Sequence, residues 1–442
     1  MFYAGFYEAD ITPPMGVDIP GYFVTRKGND VWDTLYAKAA VISDGKEKIA
    51  FLMIDKLFVS TEERDAIYER IEAFTDIKKE NVILFATHTH NGGTSLKWSP
   101  NNGDVDALYI EMLKLRAADA VYLADKRLQK ATLHYGLGMV NDVSFVRNFY
   151  MKDGNIRSNP GRLNPDIVRP ISEIDPDFPI LLAKDENGKI FGALAEFSLH
   201  NCCVGKTAFS SDYSGYMAKT LKKTYGQDFV CVFLNGFCGN LNHHDVTKPF
   251  DDNFKYYIPI GERLAEEFVR VEKAGLSEVK GEIRTIEKNI TTKRRELPEE
   301  ELQRLRDIVE VKYGGVQPEG YLDLAFPESP QMEYYNAMKI LRLFDKTPVD
   351  IPVQLKVFKI GDCAFFASPC EMFNQFAQQI KEGVDTERNF IIELANGDPT
   401  CYVPIRELFG STAYEAFYMS SRMVPDAGYI WADTLIEASK EI

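Results

Sequence analysis

Two histidines lie two residues apart in the segment VILFATHTHNGGTS, residues 82 to 95, at the end of an apolar run. Because alternate residues of a strand face the same way, we expect His88 and His90 to project together from the strand's carboxyl end. Imidazole nitrogens placed in this way suit a metal site, but two ligands do not complete one. The remaining ligands must come from elsewhere in the chain.

Three further histidines stand at or just after the ends of apolar runs. His200 ends IFGALAEFSLH, and His243 and His244 follow VCVFLNGFCGNLN. Only His134, within ATLHYGL, is typical of an ordinary strand residue. In α/β folds the carboxyl ends of neighbouring strands meet in one crevice. Each of these side chains could make only a local hydrogen bond, but together they favour a metal site.

A carboxylate occupies a similar position. Glu371 follows the apolar run CAFFASPC and begins the amphipathic segment EMFNQFAQQIK, which predicts a strand-to-helix junction. Zinc accepts imidazole and carboxylate ligands, and a catalytic zinc keeps one position open. The alternative is that Glu371 only stabilises the dipole of the following helix.

The elements that must position these side chains alternate along the chain. A helix TEERDAIYERIEAFTD with Ser60 as its N-cap and a helix after Asp212 are predicted from capping residues and helical spacing. This alternation predicts an α/β fold. Apolar, β-branched runs predict strands at about 35–43, 48–55, 80–87, 129–138, 180–184, 190–200, 228–235, 352–360, 363–368 and 389–395.

Two regions break the alternation. Residues 141–179 are rich in Asn, Asp, Gly and Pro and are expected to form a long ordered loop. Residues 291–350 are heavily charged and are expected to form a helical insertion. The loop carries four arginines that could bind a polar or anionic substrate, or could pair with the protein's own carboxylates: Arg147, Arg157, Arg162 and Arg169.

The composition argues against several classes of protein. The 442 residues include 66 acidic and 51 basic side chains, a net charge of -15, which argues against nucleic acid as a partner. No apolar run approaches the roughly 20 residues of a membrane span, and the N-terminus shows no signal peptide. Seven cysteines lie mostly in apolar strands, which predicts reduced thiols in the cytoplasm.

Six short motifs occur together in one order. AGFYEADITPP, ATHTHNGG, FSLHN…SSDYSGY, NGFCGNLN, SPCEMF and CYVP resemble, in order and spacing, the neutral/alkaline non-lysosomal ceramidase family. The resemblance implies a mixed β-sheet core with surrounding helices, one zinc ion, and hydrolysis of the amide bond of N-acyl sphingoid lipids.

The resemblance also implies roles for individual residues. His88, His200, Glu371 and Tyr402 match the four zinc ligands, and His90 would contact a ligand or the substrate. From the residues alone, Tyr402 would be interpreted as an amphipathic core residue. Arg147 matches an arginine of the family in a similar loop position, which favours contact with the substrate. Asp212 matches a family aspartate that could orient a ligand, although it could instead cap its helix.

The chain departs from the family pattern at two blocks. Asn242 stands where ceramidases have a catalytic serine, with His243 in place of the following proline, and Cys370 replaces a glycine. An amide cannot act as an alkoxide nucleophile, although it can donate a hydrogen bond to an oxyanion. We therefore expect water bound to zinc to be the nucleophile, because zinc lowers its pKa to about 7.

These observations predict one catalytic domain, 1–442, without the carboxy-terminal β-sandwich of the family's longer members. The predicted function is a zinc-dependent hydrolase that cleaves an amide or related acyl bond of a small polar molecule, with His90 or His243 moving protons. A glycoside or sugar-derivative hydrolase, a metal-binding protein without turnover, and purely structural histidines are the alternatives. The sequence leaves homo-oligomer formation open.

Overall fold

The strands form where apolar residues recur, and the ten predicted strands are all present. The computed structural model describes residues 1–22, 26–95, 104–250, 256–320, 329–397 and 401–442. The sequence analysis missed two long strands, Phe2–Asp10 and Ile283–Lys293. Both mix charged and tyrosine or threonine side chains with apolar ones, so neither contains the continuous apolar run that marks a fully buried strand.

The helices and strands are numbered in chain order. The helices are α1 (Thr61–Phe74), α2 (Asp104–Lys126), α3 (Asp212–Tyr225), α4 (Tyr257–Ala274), α5 (Glu299–Arg306), α6 (Pro330–Lys346), α7 (Asn374–Gly383) and α8 (Ala427–Lys440). The strands are β1 (Phe2–Asp10), β2 (Asp18–Ile19), β3 (Arg26–Lys27), β4 (Asp30–Val31), β5 (Tyr36–Ser43), β6 (Lys48–Ile54), β7 (Val82–Ala86), β8 (Gln129–Met139), β9 (Phe145–Val146), β10 (Asn148–Met151), β11 (Ile156–Ser158), β12 (Ile167–Pro170), β13 (Asp177–Lys184), β14 (Ile190–Phe197), β15 (Ala208–Phe209), β16 (Val230–Asn235), β17 (Leu241–Asn242), β18 (Ser277–Val279), β19 (Ile283–Lys293), β20 (Asp350–Ile360), β21 (Cys363–Ala367), β22 (Glu371–Met372), β23 (Arg388–Ile392) and β24 (Tyr402–Val403).

Two mixed sheets pack face to face. The larger has the order β16-β14-β13-β8-β1-β5-β6-β7, with β18 beside β8, and the smaller has the order β19-β20-β21-β23. Aromatic rings fill the space between them: Phe51 of β6 lies 4.8 Å from Phe365 of β21 and 5.9 Å from Phe358 of β20, between ring centroids. Most neighbouring strands run antiparallel, but β6–β7, β14–β16 and β21–β23 are parallel.

Helices cover the outer faces. Ile67 of α1 and Leu113 of α2 pack on the β1–β5–β6–β7 half of the larger sheet, and Trp431 of α8 is buried against the smaller sheet. Ser60 is the N-cap of α1 and forms a capping box with Glu63, as the sequence predicts.

The parallel strand pairs direct their carboxyl ends to one place. At the end of β23, the N–H of Glu393 donates to the carbonyl of Asn235 at the end of β16, 2.9 Å away. On the other side, Ala395 forms an antiparallel bridge with Phe85 of β7. The segments that follow β7, β14, β16 and β21 are thereby gathered at the same end of the sandwich.

The two irregular regions have defined structures. Within 141–179, β10, β11 and β12 form a small antiparallel sheet and β9 pairs with β17, so the region is more regular than the expected loop. Within 291–350, α5 and α6 lie between β19 and β20, which pair with each other along eleven residues. No helix in the described part of the chain is long and apolar enough to cross a membrane.

Candidate metal centre

Two imidazole rings meet edge to face where β7 and β14 end, with 4.6 Å between their centroids. The Nε2 atoms of His88 and His200 are 3.1 Å apart, and both side chains are buried. The backbone of His88 has φ 65°, a left-handed conformation that non-glycine residues keep mainly at functional sites. Their other ring nitrogens are held: His88 Nδ1 donates to the Leu57 carbonyl at 2.9 Å, and His200 Nδ1 to the Cys238 carbonyl at 3.0 Å. Both Nε2 atoms thus face the space between the rings, and in a neutral imidazole held in this way Nε2 carries the lone pair that binds a metal.

A carboxylate and a phenol complete the group. Glu371 Oε2 lies 3.1 Å from His88 Nε2 and 3.2 Å from His200 Nε2, and the Tyr402 hydroxyl lies 3.4 Å from His200 Nε2. Glu371 and Tyr402 are directly opposite each other in the parallel pair β22–β24. The structure therefore brings together all four residues that the resemblance implied as ligands.

The donor set fits a zinc ion. Zinc bonds of about 2.0–2.2 Å to nitrogen and oxygen in a tetrahedron place the donor atoms about 3.3–3.6 Å apart. The separations of 3.1, 3.2 and 3.4 Å are close to this. Glu371 Oε2 is buried and has no hydrogen-bond partner of good geometry in the described part of the chain. A buried oxygen left in this way is accounted for if a cation binds it.

The charge states also suit a cation. Burial opposes ionisation, but the neighbouring His88 and, to a smaller extent, His200 hold the pKa of Glu371 well below its usual value. Burial lowers the pKa of His200 to about 4, so its imidazole is neutral at pH 7. Burial and the Glu371 charge raise the pKa of Tyr402 well above its usual value, and the neighbouring Arg147 opposes that rise.

His90 lies beside the four donors in a different environment. Its Nε2 is 3.4 Å from His88 Nε2, and the ligand atoms of His88, His90 and His200 all lie within 4.8 Å of one another, so His90 could also bind an ion. Unlike the other two, its buried Nδ1 has no hydrogen-bond partner among the described residues. The ring of Tyr22 packs against it edge-on, with 5.5 Å between centroids. The ring of His90 is therefore held by packing rather than by a carbonyl.

A comparison with protein-family models identifies the family to which the chain is related. The model of the N-terminal part of the neutral/alkaline non-lysosomal ceramidases matches residues 2–247, more than half of the chain. The chain belongs to this family. The match includes the segments of His88, His90 and His200 and ends before those of Glu371 and Tyr402.

Individual ceramidases are similar to this chain in sequence or in fold. The neutral ceramidase of Pseudomonas aeruginosa is 26% identical over 299 residues, which are 63% of this chain and 43% of that protein. The match therefore spans less than half the length of that relative. The crystal structure of the neutral ceramidase from Pseudomonas aeruginosa superposes with a TM-score of 0.74 at 20% identity, covering 99% of this chain and 74% of that one. A ceramidase complexed with C2 gives 0.72 at 19% identity with the same coverage. These structures establish the predicted fold, a mixed-sheet core with surrounding helices.

Asn242 and His243, at the predicted departure from the ceramidase serine, lie near Cys202. The Cys202 sulfur is 3.8 Å from His243 Nδ1 and 4.0 Å from Asn242 Oδ1. Asn242 also donates to Asn159 Oδ1 at 3.2 Å. Burial, His244 and His200 lower the pKa of His243 to about 3. These contacts place Asn242 and His243 beside the segment that follows His200.

The loop arginine favoured for substrate contact lies deep in the protein. Arg147 is 6% exposed; its Nε donates to Glu415 at 2.8 Å and its Nη2 to the Gly239 carbonyl at 2.7 Å. Its guanidinium also lies 5.2 Å from the centre of the Tyr402 ring. Arg147 therefore packs beside the Tyr402 ring.

The other three loop arginines contact protein groups. Arg157 pairs with Asp153, Arg162 lies over the Phe250 ring, and Arg169 lies over the Tyr150 ring.

Asp212 holds the segment that follows His200. Its buried carboxylate accepts from the N–H groups of Cys203 at 2.8 Å and Val204 at 3.2 Å, and from that of Tyr213 at 2.7 Å. Helix α3 begins at Asp212 itself, with Ser211 as the preceding residue, so the predicted cap was one residue away from the observed one. The aspartate connects the start of α3 to the turn after a proposed ligand.

Sequence reasoning missed Glu393, which lies behind His200. Its carboxylate accepts from the Cys238 N–H at 2.9 Å, from the Cys238 thiol at 3.0 Å and from Asn235 Nδ2 at 3.0 Å. Cys238 in turn supplies the carbonyl that orients His200. The position of Glu393 near the end of the predicted strand at 389–395, directly after the observed β23, was the only available signal.

A buried acid in β14 gives a pH-dependent stability. Burial raises the pKa of Glu196 to about 8, against about 4.5 in an unfolded chain. Between these values the folded state holds a proton that the unfolded state releases. The contribution of this group to stability is therefore full below pH 4.5 and is lost as the pH rises through 8.

We expect the free energy of unfolding of metal-stripped protein to fall by at least about 1 kcal/mol more between pH 5 and pH 8 in the wild type than in Glu196→Gln. Urea titrations at three pH values measure it. If the free energy of unfolding changed equally with pH in the two proteins, the raised pKa of Glu196 would be contradicted.

Proposed function

We propose that this chain is a zinc-dependent hydrolase that cleaves an amide or related acyl bond in a small polar substrate rather than in ceramide. One observation carries the proposal: the donor atoms of His88, His200, Glu371 and Tyr402 converge with separations of 3.1 to 3.4 Å. Relatives in the ceramidase family are hydrolases, which supports the reaction class.

The four residues would hold one zinc ion through two neutral imidazoles, a carboxylate and a phenolate. Such an ion supplies a Lewis acid and lowers the pKa of bound water to about 7. The carbonyls of Leu57 and Cys238 fix both imidazoles in the tautomer that leaves Nε2 free to bind. The positive charge of the neighbouring Arg147 favours the ionised form of Tyr402.

Three other residues would act on the substrate. His90 has a ring nitrogen without a hydrogen-bond partner in the described structure and lies beside His88, which suits a group that takes or gives a proton. His243 is the second predicted candidate for that role, and its pKa of about 3 makes it a weaker base than an ordinary imidazole. The amide of Asn242 has two N–H bonds and uses one on Asn159, so the other could donate to a developing oxyanion.

The surroundings of Asn242 and His243 support a polar substrate. The ring of His243 contacts that of His244 at 3.8 Å between centroids, and Tyr256 lies 4.9 Å from His244. Asn159 contacts Asn242 on the same side. An acyl chain requires an apolar lining, whereas imidazole, amide and phenol groups can bind hydroxyl and amide groups.

The proposal is tested by metal removal and a substrate panel. We expect the purified chain without a histidine tag to contain about one zinc ion and to hydrolyse short N-acyl amides. A chelator should lower the rate by at least about 100-fold, and added zinc should restore it, because the ion supplies the Lewis acid. Elemental analysis and amine release measure the two quantities.

The other outcomes separate the alternatives. Cleavage of glycosides but not of amides or esters would replace the amidase by a glycoside hydrolase. Bound zinc without turnover across soluble amides, esters, glycosides and ceramide would indicate a binding protein. Faster hydrolysis of ceramide than of short amides would contradict the polar substrate, and absence of bound metal would contradict the centre itself. The cytoplasmic location stays a prediction from the cysteines.

A further inference from the structure

Two buried thiols directly precede two of the proposed ligands. Cys370 comes before Glu371 and Cys401 comes before Tyr402, and their sulfur atoms are 3.8 Å apart. The two residues are 1% and 5% exposed. Glu371 and Tyr402 are paired in β22–β24, and the N–H of Glu371 donates to the carbonyl of Cys401 at 2.9 Å. The thiol pair therefore spans the same two strands as the ligand pair.

The backbone at Cys370 is strained for a cysteine. Its φ is 72°, in the left-handed region where glycine is accommodated without a steric cost. A cysteine at such a position is unfavourable unless its side chain has a role. The sulfur of Cys401, within reach of the Cys370 sulfur, is the neighbouring group that suggests one.

We propose that Cys370 and Cys401 are a redox-active dithiol that hydrogen peroxide oxidises to a disulfide, and that the disulfide weakens metal binding by Glu371 and Tyr402. Peroxide first oxidises one thiol to a sulfenic acid with release of water. The second sulfur then attacks that sulfur, the S–S bond forms, and a second water leaves. Two electrons pass from the sulfurs to the peroxide, and a thiol reductant reverses the change.

The geometry explains the effect on the metal. A disulfide bond is about 2.05 Å long, so the sulfurs must approach each other by about 1.8 Å from their separation of 3.8 Å. Both side chains are enclosed by the core that contains Phe376, Val403 and Trp431, so side-chain rotation alone has little room. Part of the movement must occur in the backbones that carry Glu371 and Tyr402. This step rests on the proposed metal centre, whereas the disulfide itself does not.

The experiment uses the zinc-loaded protein, treated with hydrogen peroxide or left reduced. We expect mass spectrometry to find a peptide cross-link between Cys370 and Cys401 after oxidation. We expect a chelator to remove zinc at least fivefold faster from the oxidised protein, and dithiothreitol to restore the slow rate. Cys370→Gly, which relieves the strained φ, should fold, bind zinc and lose both responses, and Cys401→Ala should also lose them. Cys231→Ala, which removes a buried thiol of β16, should keep both.

The possible results distinguish the formation of the disulfide from its effect on the metal centre. Absence of the cross-link in the wild type would overturn the proposal. A cross-link with an unchanged rate of zinc release would overturn its effect on the metal. If the reduced protein binds no zinc, the proposed function and its coupling to the thiols both fail, while the peptide cross-link still reports whether the disulfide forms.

Discussion

We expect His88→Ala to lower the affinity for zinc by more than about 100-fold and to abolish hydrolysis. Zinc sites with four protein ligands bind with about 10–16 kcal/mol, so one ligand contributes about 2.5–4 kcal/mol on average. His88 has its Nδ1 fixed by the Leu57 carbonyl and its Nε2 within 3.4 Å of three other groups, so the variant removes a pre-oriented donor from the middle of the group. Competition with a chelator of known affinity measures the change.

Two variants make this result specific. His134 lies in β8 and contacts Thr132, so His134→Ala should retain zinc and activity. His90→Ala tests whether the third imidazole is a ligand. If His90 moves protons, this variant should keep zinc affinity within about tenfold and lose turnover. Full zinc content and activity in His88→Ala would refute the centre, and equal loss of zinc in both variants would assign His90 as a ligand.

The sequence predicted the histidines of the centre because strand ends are visible in the apolar pattern. His88 and His200 directly follow runs that became β7 and β14, and the fold brings the carboxyl ends of such strands together. Glu371 could be placed by the same reasoning. Tyr402 could not, because a buried tyrosine in a two-residue strand has the pattern of a core residue. Its proposed role as a metal ligand came from the resemblance alone.

The groups that orient the proposed metal ligands could not be predicted from the sequence. The Leu57 and Cys238 carbonyls belong to the backbone, and a backbone acceptor has no residue type by which it can be recognised. Glu415 lies 268 residues from Arg147, and nothing in its local sequence indicates a buried partner. The sequence analysis favoured substrate contact for Arg147 because the resemblance matches it to a family arginine in a similar loop position, and no local pattern indicated the pairing with Glu415. Long-range pairing is the information that one sequence does not contain.

Arg147→Met should lower the free energy of unfolding of zinc-free protein by about 3–5 kcal/mol, because it leaves a charged carboxylate buried without its partner. Glu415 has 0% exposure, and Arg147 is its cationic partner at 2.8 Å, while Asn148 Nδ2 donates to its other oxygen at 3.0 Å. The variant should also bind zinc more weakly, because the positive charge of Arg147 lowers the pKa of Tyr402 and so favours the phenolate that would bind the ion. Chemical denaturation and chelator competition measure the two effects.

A double variant distinguishes the buried ion pair from a substrate contact. Arg147→Met combined with Glu415→Gln removes both charges and should recover more than half of the lost stability, since replacing a whole buried pair is often neutral. Arg157, which is exposed and pairs with Asp153, is the matched control, and Arg157→Ala should change stability by less than about 0.5 kcal/mol. If Arg147→Met raised KM with unchanged stability and zinc affinity, Arg147 would bind the substrate as the family resemblance first suggested. We expect lower stability and weaker zinc binding instead. Glu415 and Gly239 already accept hydrogen bonds from the buried guanidinium, which leaves it beside Tyr402, a proposed metal ligand, rather than free to bind the substrate.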